Sequence, residues 1–91
     1  MSQKDEILDA ALTPGAKVGG WEFVEMDLRG PTPFIGLVRG NERVTIQPGR
    51  LGGWFVALHE GNASKGTRYA LAEWPYDTFA AALSHVEKGL F

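Results

Sequence analysis

Alternation of apolar and polar positions is clearest in the middle of the chain. Phe34–Arg39 and Glu42–Gln47 are two short runs separated by Gly40-Asn41, a pair that tolerates the positive φ of a tight hairpin turn. A two-residue turn fixes the register, setting Arg39 opposite Glu42, Leu37 opposite Val44 and Ile35 opposite Ile46. Both apolar pairs then share one face, the expected core face. The other face carries Phe34, Gly36 and Val38 against Gln47, Thr45 and Arg43.

Three further strands are predicted around this hairpin. In Val18–Leu28, Trp21, Phe23, Glu25 and Asp27 alternate with Glu22, Val24, Met26 and Leu28. Each side is part apolar and part acidic, which predicts a bulge near Phe23 that switches faces. Trp54–His59 is apolar on both sides, the pattern of a central, covered strand. Thr67–Glu73 supplies the last strand, with Tyr69 and Leu71 on one face. Loops are expected at Arg29-Gly30-Pro31-Thr32-Pro33, at Pro48-Gly49-Arg50 and between Glu60 and Gly66.

Helical spacing appears only at the two ends. Ser2–Leu12 reads as a short helix capped by Ser2, with Asp5 and Glu6 in the first turn and Ile7, Leu8, Ala11 and Leu12 as its apolar stripe. Pro14 and Gly15 stop it. Asp77–Lys88 reads as a second helix with Asp77 as N-cap, Phe79, Ala82, Leu83 and Val86 as its stripe, and Gly89 as its stop. The expected fold is therefore α+β: a single domain over residues 1–91, with a five-stranded, mainly antiparallel meander. A short N-terminal helix and a C-terminal helix pack on it in the order α-β-β-β-β-β-α. Val18-Gly-Gly-Trp21 and Leu51-Gly-Gly-Trp54 look alike, but the strands that follow diverge, so two independent strand entrances explain them better than a repeat.

Composition adds a core and removes some chemistry. Hydrophobic residues make up 44% of the chain, including three Trp, five Phe and two Tyr, which is enough for one modest core. There is no cysteine, so disulfides and Cys-based zinc sites are ruled out and a cytoplasmic location is expected. The first residues carry acids where a signal peptide needs an apolar stretch, and no run is long enough for a membrane-spanning helix. The net charge of −2 is unevenly spread. Residues 1–27 hold six acids against two lysines, whereas residues 28–72 hold Arg29, Arg39, Arg43, Arg50, Lys65 and Arg68 against Glu42 and Glu60.

Catalytic signatures are missing at the level of pattern. His59 ends a strand, and His85 reads as the polar flank of a helix; its neighbour Ser84 is adjacent only in sequence. Glu22, Glu25 and Asp27 lie along one strand, which suits a solvated edge better than two acids facing across a cleft. Gly61–Thr67 has a glycine-and-lysine look, but a strand rather than a helix follows, so it cannot cradle phosphate. No cofactor and no metal ion are expected, and the chain reads as a non-enzyme.

Binding is what remains. Arginines of the middle segment, interleaved with Phe34, Trp54, Phe55 and Tyr69, are the materials of a sheet that stacks on nucleic-acid bases. Aromatics and arginines are equally the anchors of protein interfaces, and Trp74 and Tyr76 flank Pro75 where strand meets helix. A docking patch of Trp74, Tyr76, Arg68 and Arg43, with Arg39 and Arg50 nearby, is one expectation; Trp74 plugging the open end of the sheet is the other. The preferred reading is a binding protein that acts on a larger protein or complex, as an inhibitor or modulator in the manner of toxin-immunity or phage anti-defence proteins. A homodimer seam is a variant of that reading. Nucleic-acid binding by the Arg/aromatic face is the second reading, and an enzyme with a site shared between subunits is the third.

Overall fold

The computed structural model describes residues 3–10, 12–29, 33–49, 52–60 and 72–91. Its elements run α1 (Gln3–Asp9), β1 (Lys17–Val18), β2 (Trp21–Asp27), β3 (Phe34–Arg39), β4 (Glu42–Pro48), β5 (Trp54–Glu60), β6 (Ala72–Tyr76) and α2 (Phe79–Lys88). The sheet is a pure antiparallel meander in the order β1-β2-β3-β4-β5-β6. The fold is thus α+β as expected, with six strands instead of five. Val18–Leu28 is two strands because Gly19 takes a left-handed φ of 62° and turns the chain before Trp21.

The central hairpin pairs as its turn dictates: Arg39 with Glu42, Leu37 with Val44 and Ile35 with Ile46. Ile35, Leu37, Val44 and Ile46 are all fully buried. In β2 the pairing shifts between Phe23 and Glu25, the bulge that the mixed pattern required. It keeps Trp21 and Phe23 in the core while releasing Val24, 40% exposed, to the surface. β5 is an interior strand, paired with β4 and with the edge strand β6, and its Trp54, Val56 and Ala57 are buried.

The start of α2 and the last strand depart from the sequence reading, and α1 ends at Asp9, short of Leu12, whereas α2 runs to Lys88 and stops at Gly89 as expected. β6 reaches Tyr76, so Trp74 and Tyr76 lie within a strand, and Pro75 is tolerated because β6 is an edge. Residues 67–71, expected to begin that strand, lie outside the described residues, as does the capping Ser2. α2 is capped by Thr78 instead of Asp77: Thr78 is extended, and its Oγ1 accepts from the amide of Ala81 at 3.1 Å. At the other end Gly89 is left-handed, its amide donates to the Val86 carbonyl, and the Leu90 amide reaches the His85 carbonyl. This Schellman turn folds the chain back and lays Phe91 against Trp21, Trp74 and His85.

One short helix covers the core. α2 packs on β4, β5 and β6 and also on β1, so strands from both ends of the sheet order meet it and the sheet curls round it. The closest approach is at the β1–β2 turn. A Cβ added at Gly19 would lie 2.4 Å from the carbonyl oxygen of Glu87 in α2. Gly40 has a similar φ of 57° but open space around it. Gly40→Ala should therefore cost only the left-handed backbone, about 1 kcal/mol. Gly19→Ala should cost roughly 2–4 kcal/mol, since the turn must also back away from α2. Urea-denaturation midpoints of the two variants check this.

Candidate functional site

Of the expected arginine and aromatic residues, the described ones, Arg39, Arg43, Trp74 and Tyr76, do not form one patch. Arg39 lies at the hairpin end on the inner side; it bonds Glu42 at 2.8 Å and stacks 4.5 Å over the Trp21 ring. Arg43, four residues on and across the turn, lies on the outer face and pairs with Glu25. The Glu25 side chain crosses Gly36 to reach it, and a Cβ at Gly36 would sit 2.6 Å from the carboxylate. Trp74 and Tyr76 face inward, against His85. Trp74 and Arg43 are therefore on opposite faces, and Trp74 plugs the seam beneath α2. Arg50 and Arg68 lie outside the described residues.

His85 is not a polar flank. It is 2% exposed and ringed by Trp74, Tyr76 and Phe91. Its Nδ1 shares a 2.5 Å hydrogen bond with the Tyr76 hydroxyl, while its Nε2 and the Trp21 Nε1 find no hydrogen-bond partner among the described residues. Burial pushes the imidazole below its usual range, so His85 is held neutral. On the outer face, Thr45 Oγ1 and His59 Nε2 lie 3.1 Å apart, and the Gln47 amide donates to Thr45. Among the described residues no group of three or more His, Asp or Glu side chains is placed to hold a metal ion.

Among the described residues one concavity, of about 570 Å³, lies between the turn at Gly49, Gly52 and Gly53 and the end of β6, and another is a groove of about 380 Å³ between α1 and α2. From α1 it takes Glu6, Asp9 and Ala10, and from α2 it takes Phe79 and the set Ala80, Leu83, Ser84 and Glu87. The spacing explains the site. α2 has two stripes: Phe79, Ala82 and Val86 turn to the sheet, while residues 80, 83, 84 and 87 repeat at i, i+3, i+4 and i+7 on an adjacent face. Residues 6, 9 and 10 form the matching stripe of α1. Sequence reasoning assigned Leu83 to the core stripe and Glu6 to a helix dipole; it had no means of placing helices seventy residues apart side by side.

Glu6 is structural as well as part of the wall. One carboxylate oxygen accepts from the Trp54 indole at 2.8 Å, and the other accepts from the Phe79 amide at 3.4 Å, at the N-terminus of α2. It ties α1 to β5 and α2 together. Asp9 and Glu87 are exposed on opposite sides of an apolar floor made by Ala10, Phe79, Ala80 and Leu83. Both also sit in the last turn of their helices, where the macrodipole disfavours a negative charge.

Two outcomes follow. Glu6→Ala should lower stability by about 1–3 kcal/mol, because the Trp54 indole and Phe79 amide both lose their acceptor, and Glu6→Gln should fall between, keeping one acceptor. Chemical denaturation followed by tryptophan fluorescence measures both. For His85, the unfolded chain takes up a proton below about pH 6.5 while the folded chain resists it, so stability is full above that pH and declines as pH falls through it. The urea midpoint should therefore drop between pH 7.5 and 5.5. His85→Gln should show a smaller drop, with His59 common to both proteins.

No helix among the described residues is long and apolar enough to cross a membrane. Comparison with protein-family models, curated proteins and solved structures returned no match to the chain.

Proposed function

We propose that this chain is a non-enzymatic protein-binding module that acts by occupying a surface of a larger partner, as an inhibitor or modulator does, and that it docks through the α1/α2 groove. The observation that carries this is the second stripe of α2: half-buried Leu83 and exposed Ala80 face α1 across open space, while the helix's other stripe completes the core. An apolar floor between polar walls is how helical grooves receive a segment of another protein. The buried and bonded groups elsewhere support a binder over a catalyst. His85 lies under Phe91, and both oxygens of Glu6 are engaged. Nucleic-acid binding has less support, since Arg39 and Arg43 lie on opposite faces, each against a carboxylate.

A photo-crosslinking residue placed at Ala80, in the groove, should give a discrete protein adduct in the native host. The same residue at Val24, exposed on the bulge of β2, should not. Adducts of equal yield from both positions, or from position 24 alone, would overturn the docking reading.

A further inference from the structure

Resting on that reading, we infer that the groove is built for a basic amphipathic helix of another protein, an apolar side chain entering between the helices and lysine or arginine reaching Asp9 and Glu87. Three observations lead there. The first is the layout of charge: the floor is apolar, one free carboxylate stands on each wall, and among the described residues no basic side chain lines the groove. A ligand that buried only apolar surface would leave those carboxylates desolvated and unpaired, whereas cations on either side of an apolar anchor satisfy them.

The second is where those acids stand. Asp9 is the last residue of α1, which has no basic residue in its last turn, and Glu87 is in the last turn of α2, beside Lys88. At both places a lysine would suit the helix dipole better. Local choices that work against the fold mark positions held for another purpose. Glu6, by contrast, stands near the start of α1 and is fully used by Trp54 and Phe79, so it forms wall and not contact. The third is that three of the chain's five described basic side chains are already engaged. Lys17 pairs with Glu22, Arg39 with Glu42 and Arg43 with Glu25, which leaves Arg29 and Lys88 and makes a more basic protein the better source of the complement than a second copy.

The test uses two synthetic amphipathic helices with the same leucine face, one carrying lysine and the other glutamate on its polar face. Amide chemical shifts of the intact chain are followed during titration with each. The Lys/Leu peptide should perturb Asp9, Ala10, Ala80, Leu83 and Ser84 and bind roughly tenfold or more tightly than the Glu/Leu peptide at low salt, with the gap closing as salt rises. In the double variant Asp9→Lys, Glu87→Lys the preference should reverse. Its urea midpoint should meanwhile rise, which separates lost recognition from lost folding.

Equal binding of both peptides in the groove would overturn the basic-partner inference and leave the docking reading standing. Shifts confined to the outer sheet face, or no shifts with either peptide, would also overturn the inference, the crosslink at position 80 then deciding the docking reading alone. Concentration-dependent self-association abolished by the double variant would assign the groove to a second copy and overturn it as well.

Discussion

Everything in this fold depends on one short helix having to close a six-stranded sheet. A ten-residue helix cannot cover a flat sheet of that width, so the sheet curls until strands from both ends of its order rest on α2. The curl has local requirements. The β1–β2 turn must come within 2.4 Å, measured from a notional Gly19 Cβ, of the α2 backbone, which only glycine permits. The seam between the sheet edges must be filled, and Trp21, Trp74, Tyr76, His85 and Phe91 fill it with rings packed 4.7–5.4 Å apart. Large planar side chains suit a wedge-shaped gap, because edge and tilted packings fit angles that aliphatic layers do not.

The same constraint explains what could be read in the sequence. The hairpin was legible to the residue, because a two-residue Gly-Asn turn leaves a single register and strict alternation leaves a single core face. The β2 bulge was legible from a face that turned from aromatic to acidic partway along. Even the separation of Arg39 from Arg43 followed from that register, since Arg39 opposes Glu42 and Arg43 opposes Val38 on the next row. A shared patch was expected because arginine, tryptophan and tyrosine are common anchors of interfaces, which says nothing of the face each occupies.

What could not be read depends on which elements lie at an edge or beside one another. Pro75 signals the end of a strand unless that strand is an edge, and the edge is known only from the whole sheet. His85 has polar neighbours in sequence but aromatic neighbours in space, brought together by β6 and by the turn at Gly89. Thr78 outcompetes Asp77 as the cap because β6 runs on to Tyr76, which leaves Thr78 as the extended residue at the start of α2. The groove was hidden most deeply of all. Its two stripes are ordinary solvent-facing spacings until Glu6 bonds Trp54 and Phe79 and sets α1 beside α2.

That junction also explains how the lining of the groove is kept apart from the core. α1 is too short to be stable alone, and its hold on the domain comes from buried Ile7 and from Glu6. Those two residues fix its position, which leaves the exposed Asp9 unconstrained by the core. On α2 the division is the same: Phe79, Ala82, His85 and Val86 hold the sheet, while Ala80, Ser84 and Glu87 do not. Ala10, Phe79 and Leu83 face both ways, as core wall and as groove floor. A surface so arranged can change its charges without disturbing the core, and the acids at Asp9 and Glu87 are where the sequence has accepted an unfavourable helix end. A lysine at either place would suit the helix dipole better, and the proposed cationic partner would give a physical reason for the carboxylates.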